Sequence, residues 1–99
     1  MVAIVTGASR GIGKACAIRL AKDGYTVIIN YSHNDAKAIE TLDEIKANGG
    51  DGMIYKADMS NPEEVNKMVR EVSKTYGSID VLVNNAGIVR DQLLLTLTK

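Results

Sequence analysis

The sequence predicts an α/β fold, a parallel β-sheet with helices on both faces. Short runs rich in β-branched residues alternate four times with longer helical stretches, which is the pattern of consecutive βαβ units. The chain has 99 residues, of which 45% are hydrophobic, and this size and composition fit one globular domain. We therefore treat residues 1–99 as a single domain.

Four strands are predicted from the apolar runs. They lie at residues 2–5, 26–30, 53–57 and 79–84. Right-handed crossovers would place the first two helices on one face of the sheet and the third on the other, which gives the spatial strand order 3-2-1-4. In that order, the fourth strand is expected to form an edge of the sheet.

The first two helices are predicted from apolar residues that recur at helical spacing. The first begins near Gly11 and ends at Gly24, a residue that tolerates the left-handed conformation of a helix C-cap. The second spans residues 35–47. Either Asn34 or Asp35 is expected to cap it, because both side chains can accept hydrogen bonds from first-turn amides.

The third helix carries the clearest start signal in the chain. Ser60 and Glu63 have the spacing of a capping box, and Pro62 lies in the first turn. Apolar residues at helical spacing follow until Gly77. These observations predict a helix that begins directly after Ser60.

Charge and aromatic content argue against nucleic-acid and membrane partners. Twelve Lys and Arg residues balance twelve Asp and Glu residues, so the chain lacks the excess positive charge that such partners require. The aromatic residues are four tyrosines, which provide no stacking platform for bases. The residues also suggest no metal site.

The cysteine content and the N-terminus favour a cytoplasmic protein. Cys16 is the single cysteine, so no disulfide can form within the chain and a reducing compartment is expected. Residues 1–5 contain no basic segment or long apolar run that would act as a targeting peptide. A plastid or mitochondrial location after removal of a targeting segment stays open.

A glycine loop, residues 6–13, follows the first predicted strand and leads into the first helix. Small residues let a backbone approach a pyrophosphate, while a helix N-terminus offers unpaired N–H groups and a positive dipole end. Gly7 is suited to the tight turn, Gly11 to the close approach, and Gly13 to the contact between helix and strand. The alternative is a glycine-rich turn that merely joins the two elements.

Two motifs together resemble the short-chain dehydrogenase/reductase family: Thr6-Gly-x-x-x-Gly-x-Gly13, and Asn84-Asn-Ala-Gly87 after the fourth strand. The resemblance covers essentially the whole chain and implies a Rossmann-like, partial doubly wound fold. Residues 6–13 and 87–94 are most similar to the 3-oxoacyl-(acyl-carrier-protein) reductases of fatty-acid synthesis. This implies hydride transfer from a nicotinamide cofactor to a carbonyl.

The resemblance also implies which residues contact the cofactor. The pyrophosphate and the adenosine ribose are expected to lie along Gly7, Ser9, Arg10, Gly11, Ile12 and Gly13. The loop after the fourth strand is expected to follow the two riboses through Asn85, Ala86 and Gly87. Asn84 is expected to be structural, tying adjacent strands through hydrogen bonds from its side chain to the backbone.

Asp58 and Met59, after the third strand, correspond to the family's adenine contacts. The resemblance implies that the Asp58 carboxylate accepts a hydrogen bond from the adenine amino group and that the Met59 backbone N–H lies beside it. The alternative is that Asp58 is a solvated loop acid before Ser60.

The end of the second strand favours NADP(H) over NAD(H). An NAD site usually has an acid there to bind the ribose 2′-hydroxyl, whereas this chain has residues 30–33, Asn-Tyr-Ser-His. Arg10 can pair with a 2′-phosphate, and Asn30, Ser32 and His33 are candidates for further hydrogen bonds to it, with a solvated loop residue as the alternative for His33. The alternative is that Asp35 binds the ribose hydroxyl from a shifted position, although its place before a helix favours a capping role.

Catalytic residues are not found in the sequence. The family protonates the developing alkoxide with a tyrosine assisted by a lysine four residues later, and no Tyr-x-x-x-Lys occurs here. We therefore expect the N-terminal portion of a reductase, which acts on an acyl thioester only if the remainder is supplied. The alternative is a catalytically inactive fragment that binds nucleotide or self-associates.

Self-association is expected from two apolar features. Val81, Leu82 and Val83 would lie on an open edge strand, which is a template for pairing with another copy. Uncovered apolar surface is also expected from Leu93, Leu94, Leu95 and Leu97. A homodimer or larger oligomer, joined near the fourth strand, would cover both.

Overall fold

The computed structural model describes residues 1–9 and 11–85, together with the backbone of residues 94–96. Strands and helices alternate along the chain, as the sequence predicts. In chain order the elements are β1 (Val2–Val5), α1 (Gly11–Lys22), β2 (Thr26–Tyr31), α2 (Asp35–Ala47), β3 (Asp51–Lys56), α3 (Pro62–Tyr76), β4 (Val81–Val83) and β5 (Leu94–Thr96).

The sheet has the order β3-β2-β1-β4-β5. The first four of these strands are parallel, which confirms the predicted 3-2-1-4 arrangement. The register places Ile4 between Ile28 of β2 and Leu82 of β4. The carboxyl ends of β1, β2 and β4 therefore meet at one edge of the sheet.

The prediction that β4 is an edge strand is wrong. β5 pairs with it in antiparallel orientation, with Val81 opposite Thr96 and Val83 opposite Leu94. Pairing within the chain satisfies backbone groups that an open edge would present to a second copy. Self-association stays a prediction, but it loses the open β4 edge as its basis. Leu93 and Leu97 lie outside the described residues.

Two apolar clusters cover the two faces of the sheet. On one face α1 and α2 pack through Ala17, Ala38 and Ile45. On the other face α3 packs through Met68 and Val72. Successive strand residues alternate between the two clusters, with Val5, Val27 and Ile29 in the first and Ile4 and Ile28 in the second. The prediction of helices on both faces is therefore confirmed.

The ends of α1 and α2 follow the sequence signals closely. Gly24, after α1, has φ +99°, the left-handed region predicted for it. α2 begins and ends as predicted, and its N-cap is Asn34, whose Oδ1 accepts the Lys37 N–H at 3.2 Å. Asp35 is therefore the first residue of the helix and not its cap.

The cap of α3 is Asn61, one residue later than predicted. Its Oδ1 accepts the N–H groups of Glu63 at 3.0 Å and Glu64 at 3.4 Å. Pro62 explains the shift, because proline is best suited to the first helical position and the cap must then precede it directly. Ser60, predicted as the cap, instead donates to the carboxylate of Asp58.

Strand bounds differ from the prediction where backbone contacts decide them. β3 begins at Asp51 and includes Gly52, where an added Cβ would overlap the carbonyl oxygen of Val27 on β2. β4 begins only at Val81. Asp80 joins β1 by two hydrogen bonds, in which its N–H donates to the Val2 carbonyl at 2.9 Å and its Oδ2 accepts the Val2 N–H at 2.8 Å.

Tyr55 links β3 to α3 and predicts a pH dependence of stability. Its hydroxyl donates to Glu71 Oε1 at 2.6 Å. Burial, and then the hydrogen bond to the Glu71 carboxylate, raises the pKa of Tyr55 from 10.0 to about 12. The folded protein thus keeps a proton that the unfolded chain releases, so the free energy of unfolding should fall as pH rises from about 10 to about 12.

Urea unfolding measured across this pH range tests the role of Tyr55, with Tyr55→Phe as the comparison. The variant has no phenol to ionise at this position, so its free energy of unfolding should fall less over this pH range. An identical decline in both proteins would show that Tyr55 does not contribute. Tyr25→Phe is the matched control, because Tyr25 packs against the cluster on the other face of the sheet; this substitution should leave the decline of the unsubstituted protein unchanged.

Candidate functional site

A cleft of about 700 Å³ lies at the carboxyl edge of the sheet. Open parallel sheets bind ligands at this edge, where loops and helix N-termini converge. The glycine loop forms one wall and the residues after β2 form the other. The lining residues are Gly7, Ser9, Gly11, Tyr31, Ser32, His33, Asn34 and Asn85.

The structure confirms the tight turn predicted at Gly7 and the close contact of α1 predicted at Gly13. Gly7 and Gly11 adopt φ values of +62° and +63°, which disfavour any residue with a Cβ. Gly13 is buried in α1, and a Cβ added there would overlap the Gly7 carbonyl oxygen and lie 2.6 Å from Asn85 Nδ2. The start of α1 therefore packs directly on the backbone of the turn that follows β1.

Thr6 joins the glycine loop to the residues after β4. Its hydroxyl accepts the Asn85 N–H at 2.7 Å and lies 3.3 Å from Asn84 Oδ1. Asn85 Nδ2 also donates to the Gly7 carbonyl at 3.4 Å. Asn84 thus contacts Thr6 by a side-chain to side-chain hydrogen bond, whereas the side-chain-to-backbone hydrogen bond expected of Asn84 is made by Asn85.

Asn30 faces the protein interior instead of the cleft. The side chain is 1% exposed, and its Oδ1 accepts the Gly7 N–H at 3.2 Å. Its Nδ2 donates to the carbonyls of Ala57 at 3.2 Å and Tyr55 at 3.4 Å. The expected hydrogen bond from Asn30 to a phosphate is corrected accordingly. β2 extends through Tyr31, so Asn30 lies within the sheet, where β1 and β3 supply its partners.

Thr41 contacts the glycine loop, and the sequence did not predict this contact. It is fully buried on α2, and its Oγ1 lies 3.2 Å from the Ser9 carbonyl and 3.1 Å from the Lys37 carbonyl. Its position between Ala38 and Ile45 puts it on the inner stripe of the helix. A polar residue at a core-facing position of a helix is the sequence feature that could have indicated this contact.

The residues after β2 form the polar wall of the cleft. Ser32 and His33 are exposed and line it, so they are free to contact a ligand. Tyr31 is buried, and burial followed by the neighbouring Asp35 carboxylate raises the pKa of its phenol. None of the lining residues that the structure describes is an acid, in agreement with the absence of the NAD-type carboxylate from residues 30–33.

Asp58 shapes the loop after β3 (residues 57–61). Its Oδ1 accepts the Ser60 hydroxyl at 2.7 Å and the Ser60 N–H at 2.9 Å. These two hydrogen bonds, and more weakly the proximity of His33, lower the pKa of the exposed carboxyl. Its N–H donates to Glu64 Oε1 at 2.8 Å. Within the described part of the chain, Asp58 Oδ2 has no hydrogen-bond partner.

The remaining predicted site residues occupy different environments. Ile12 is 75% exposed at the start of α1, and Met59 is half-buried against the α3 cluster. Arg10, Ala86 and Gly87 lie outside the described residues. Across residues 1–9 and 11–85, no group of three His, Cys, Asp or Glu side chains is placed to hold a metal ion. In that same part, no helix is long and apolar enough to cross a membrane.

The fold and the cleft agree with the comparisons with known proteins. The short chain dehydrogenase family model matches residues 1–99, so this chain belongs to that family. It is similar to the 3-oxoacyl-(acyl-carrier-protein) reductase FabG of Staphylococcus aureus, with 50% identity over 94% of this chain. A 3-oxoacyl-(acyl-carrier-protein) reductase of Synechocystis is 49% identical over 95% of the chain.

A solved structure supports the same family and fold. The short chain dehydrogenase from Mycobacterium avium superposes with a TM-score of 0.81 and 36% identity, covering 92% of this chain and 35% of its own. The chain also spans 38% of the length of the two curated reductases. It therefore corresponds to a part of each relative, and the described elements are a Rossmann-like portion of the family fold.

Proposed function

We propose that this chain is the NADP(H)-binding, N-terminal portion of a reductase that transfers hydride to a 3-oxoacyl thioester. The observation that carries the proposal is the cleft between the glycine loop and the residues after β2, where the lining residues within 1–9 and 11–85 include no acid. The similarity to the two 3-oxoacyl-(acyl-carrier-protein) reductases supports the acyl substrate and the role in fatty-acid synthesis.

The residues of the cleft fit a dinucleotide. First-turn amides of a helix have no intrahelical acceptor and lie at its positive end, and the start of α1 is next to the cleft through Gly11. Gly13 lets α1 approach the turn more closely than any other residue would allow. Together these features provide N–H donors and partial positive charge for a pyrophosphate.

Each wall of the cleft has a distinct proposed role toward the cofactor, which supplies the hydride when bound. The glycine loop orients the pyrophosphate, and Arg10 pairs with the 2′-phosphate, assisted by Ser32 and His33. Asp58 Oδ2 accepts from the adenine amino group. The other proposed contacts are Gly7, Ser9, Gly11, Ile12, Gly13, Met59, Asn85, Ala86 and Gly87.

We propose that residues 1–99 bind the cofactor but do not protonate the substrate. Tyr55 donates its hydroxyl hydrogen to Glu71. Tyr31 lines the cleft, but burial followed by the Asp35 carboxylate raises its pKa, which makes it a poor proton donor. None of the four tyrosines has a lysine four residues later. Protonation of the alkoxide would then depend on residues outside this chain, so NADPH and an acetoacetyl thioester should show no turnover with these residues alone.

Titration with NADPH and NADH, followed by nucleotide fluorescence, tests the cofactor assignment. NADPH should bind more tightly than NADH. Arg10→Ala should weaken NADPH by roughly 10- to 150-fold, since a hydrogen bond to a charged group contributes about 1.5–3 kcal/mol. Its effect on NADH should stay within about twofold, because NADH has no 2′-phosphate.

Arg19→Ala is the matched control for the Arg10 substitution. Arg19 is exposed on α1 and pairs with Asp23, so its removal changes the net charge equally without touching the cleft. It should leave both affinities unchanged. Equal losses of NADPH and NADH binding in Arg10→Ala would contradict a 2′-phosphate contact, and no binding of either nucleotide to the unsubstituted chain would contradict the proposed function.

A further inference from the structure

We infer that Asn30 is a positioning residue for the nucleotide, and that its buried side chain holds the pyrophosphate side and the adenine side of the cleft in one fixed arrangement. The inference rests on the proposed function, because it assigns those two sides to the dinucleotide. It concerns a residue that makes no ligand contact itself. Asn30 would act only through the backbone of Gly7 and Ala57.

The hydrogen bonds of Asn30 connect three neighbouring strand ends. Asn30 belongs to β2, its Oδ1 accepts the N–H of Gly7 directly after β1, and its Nδ2 donates to the carbonyls of Tyr55 and Ala57 at the end of β3. Backbone bonds run beside these, from the Ala8 N–H to the Asn30 carbonyl and from the Ala57 N–H to the Tyr31 carbonyl. The side chain thus adds contacts to both neighbouring segments beside those that the backbone bonds make.

Gly7 depends on such a contact more than another residue would. Glycine has access to a wide range of backbone conformations, so its own sterics do not fix the φ of +62° found here. The hydrogen bond from its N–H to Asn30 supplies that restraint. Because the Gly7 carbonyl oxygen packs against Gly13 of α1, the orientation of Gly7 also determines where the first turn of α1 lies.

The adenine side is restrained by the same amide group. The Ala57 carbonyl accepts from Asn30 Nδ2, and Asp58 follows directly in the chain. Loss of the Asn30 hydrogen bonds should therefore displace both the phosphate-binding amides and the Asp58 carboxylate. A change at one buried residue would weaken the binding of the whole dinucleotide rather than that of one group.

Asparagine matches this position because it offers one acceptor and two donors in fixed directions. Asn30→Asp has the same shape, but its ionised form places a carboxylate against two carbonyl oxygens. Its protonated form can still accept from Gly7 and donate to one carbonyl. Burial raises the pKa of a carboxyl group, so lowering the pH should restore much of the lost arrangement. This rescue distinguishes positioning from a loss of packing.

The experiment measures NADPH and NADH affinity of the unsubstituted protein and of Asn30→Asp between pH 5 and 8. Asn30→Asp should bind both nucleotides roughly tenfold more weakly than the unsubstituted protein at pH 8, as expected for one lost buried hydrogen bond. The ratio of the two proteins' dissociation constants should approach one toward pH 5. Tyr31, His33 and Asp58 are the neighbouring ionisable groups. They are present in both proteins, so the ratio removes their contribution. Asn66→Asp, on the exposed face of α3, is the matched control and should bind normally throughout.

Amide hydrogen exchange gives a readout that needs neither a ligand nor a substitution. In the unsubstituted protein, the Gly7 N–H and the Asn30 side-chain amide should exchange slowly. In Asn30→Asp the ionised carboxylate can still accept from Gly7 but cannot donate to the Ala57 carbonyl, so the Ala57 N–H, which donates to the Tyr31 carbonyl, should exchange faster at pH 8 than at pH 5, relative to other amides of similar burial. Circular dichroism at each pH verifies that the variant is folded, and Asn30→Ser serves as a second, uncharged variant with weakened binding at every pH.

Several outcomes would overturn the inference. Rapid exchange of the Gly7 N–H in the unsubstituted protein would mean that Asn30 does not hold the loop. Normal nucleotide affinity in folded Asn30→Asp at pH 8 would mean that the contact does not matter for binding. If the unsubstituted protein binds neither nucleotide, the proposed function fails and the positioning role fails with it, while Gly7 exchange would still report whether Asn30 braces the fold.

Discussion

Replacing Gly13 with valine is expected to abolish dinucleotide binding, with a loss of at least about 100-fold in affinity for NADPH. A Cβ at this position would overlap the Gly7 carbonyl oxygen and approach Asn85 Nδ2 to 2.6 Å. The obstructing atom is backbone, which cannot rotate away as a side chain would. α1 must therefore shift from the glycine loop, and the first-turn amides shift with it.

The same substitution should lower the free energy of unfolding by about 3 kcal/mol, the upper part of the range for overpacked interiors. Urea unfolding and NADPH titration measure the two effects. Gly24→Ala is the control, because nothing lies within 4 Å of a Cβ added to Gly24, although its φ is positive. It should destabilise by about 1 kcal/mol through backbone strain and bind nucleotide normally. Unchanged binding in Gly13→Val would refute the close contact between α1 and the turn.

Met68→Ala is expected to lower the free energy of unfolding strongly, at a residue outside the cleft. Met68 is fully buried in the cluster between α3 and the sheet. Truncating such a side chain removes apolar burial and leaves a cavity, which costs about 2–5 kcal/mol. Small domains have only about 5–15 kcal/mol in total. The variant should therefore unfold at much lower urea concentration, or populate the unfolded state without denaturant.

Lys67→Ala is the matched control for Met68, since it lies next to it in α3 but is exposed. It should change the free energy of unfolding by no more than about 0.5 kcal/mol. Equal stabilities of the two variants would contradict the packing of α3 on this face of the sheet. Binding of NADPH, measured where Met68→Ala is still folded, should change less than in Gly13→Val because Met68 does not line the cleft.

Local signals in the sequence determined most of the elements. The bounds of α2 follow directly from helical spacing and a capping residue, and those of β1 follow from its run of β-branched residues. The order 3-2-1-4 could also be predicted, because crossover handedness leaves few arrangements of consecutive βαβ units. The glycine loop was recognisable because the chemistry of phosphate binding requires glycines at close spacing between a strand and a helix.

Contacts between distant residues decided what the sequence left open. The choice between Ser60 and Asn61 as the cap of α3 is an exception, because it is set locally by Pro62 in the first turn. Asn30 at the end of a strand is compatible with a ligand contact or an internal one. Its role depends on Gly7 and Ala57, which are 23 and 27 residues away in the chain.

The same reason applies to Thr41 and β5. The hydroxyl of Thr41 reaches the Ser9 carbonyl only because α2 packs beside the glycine loop. The pairing of residues 94–96 with β4 requires the chain to reverse direction after the fourth strand, which no local preference specifies. Sequence patterns determine elements because helix and strand periodicities act over a few residues, whereas the partner of a buried polar group or a strand edge is determined only when the elements pack.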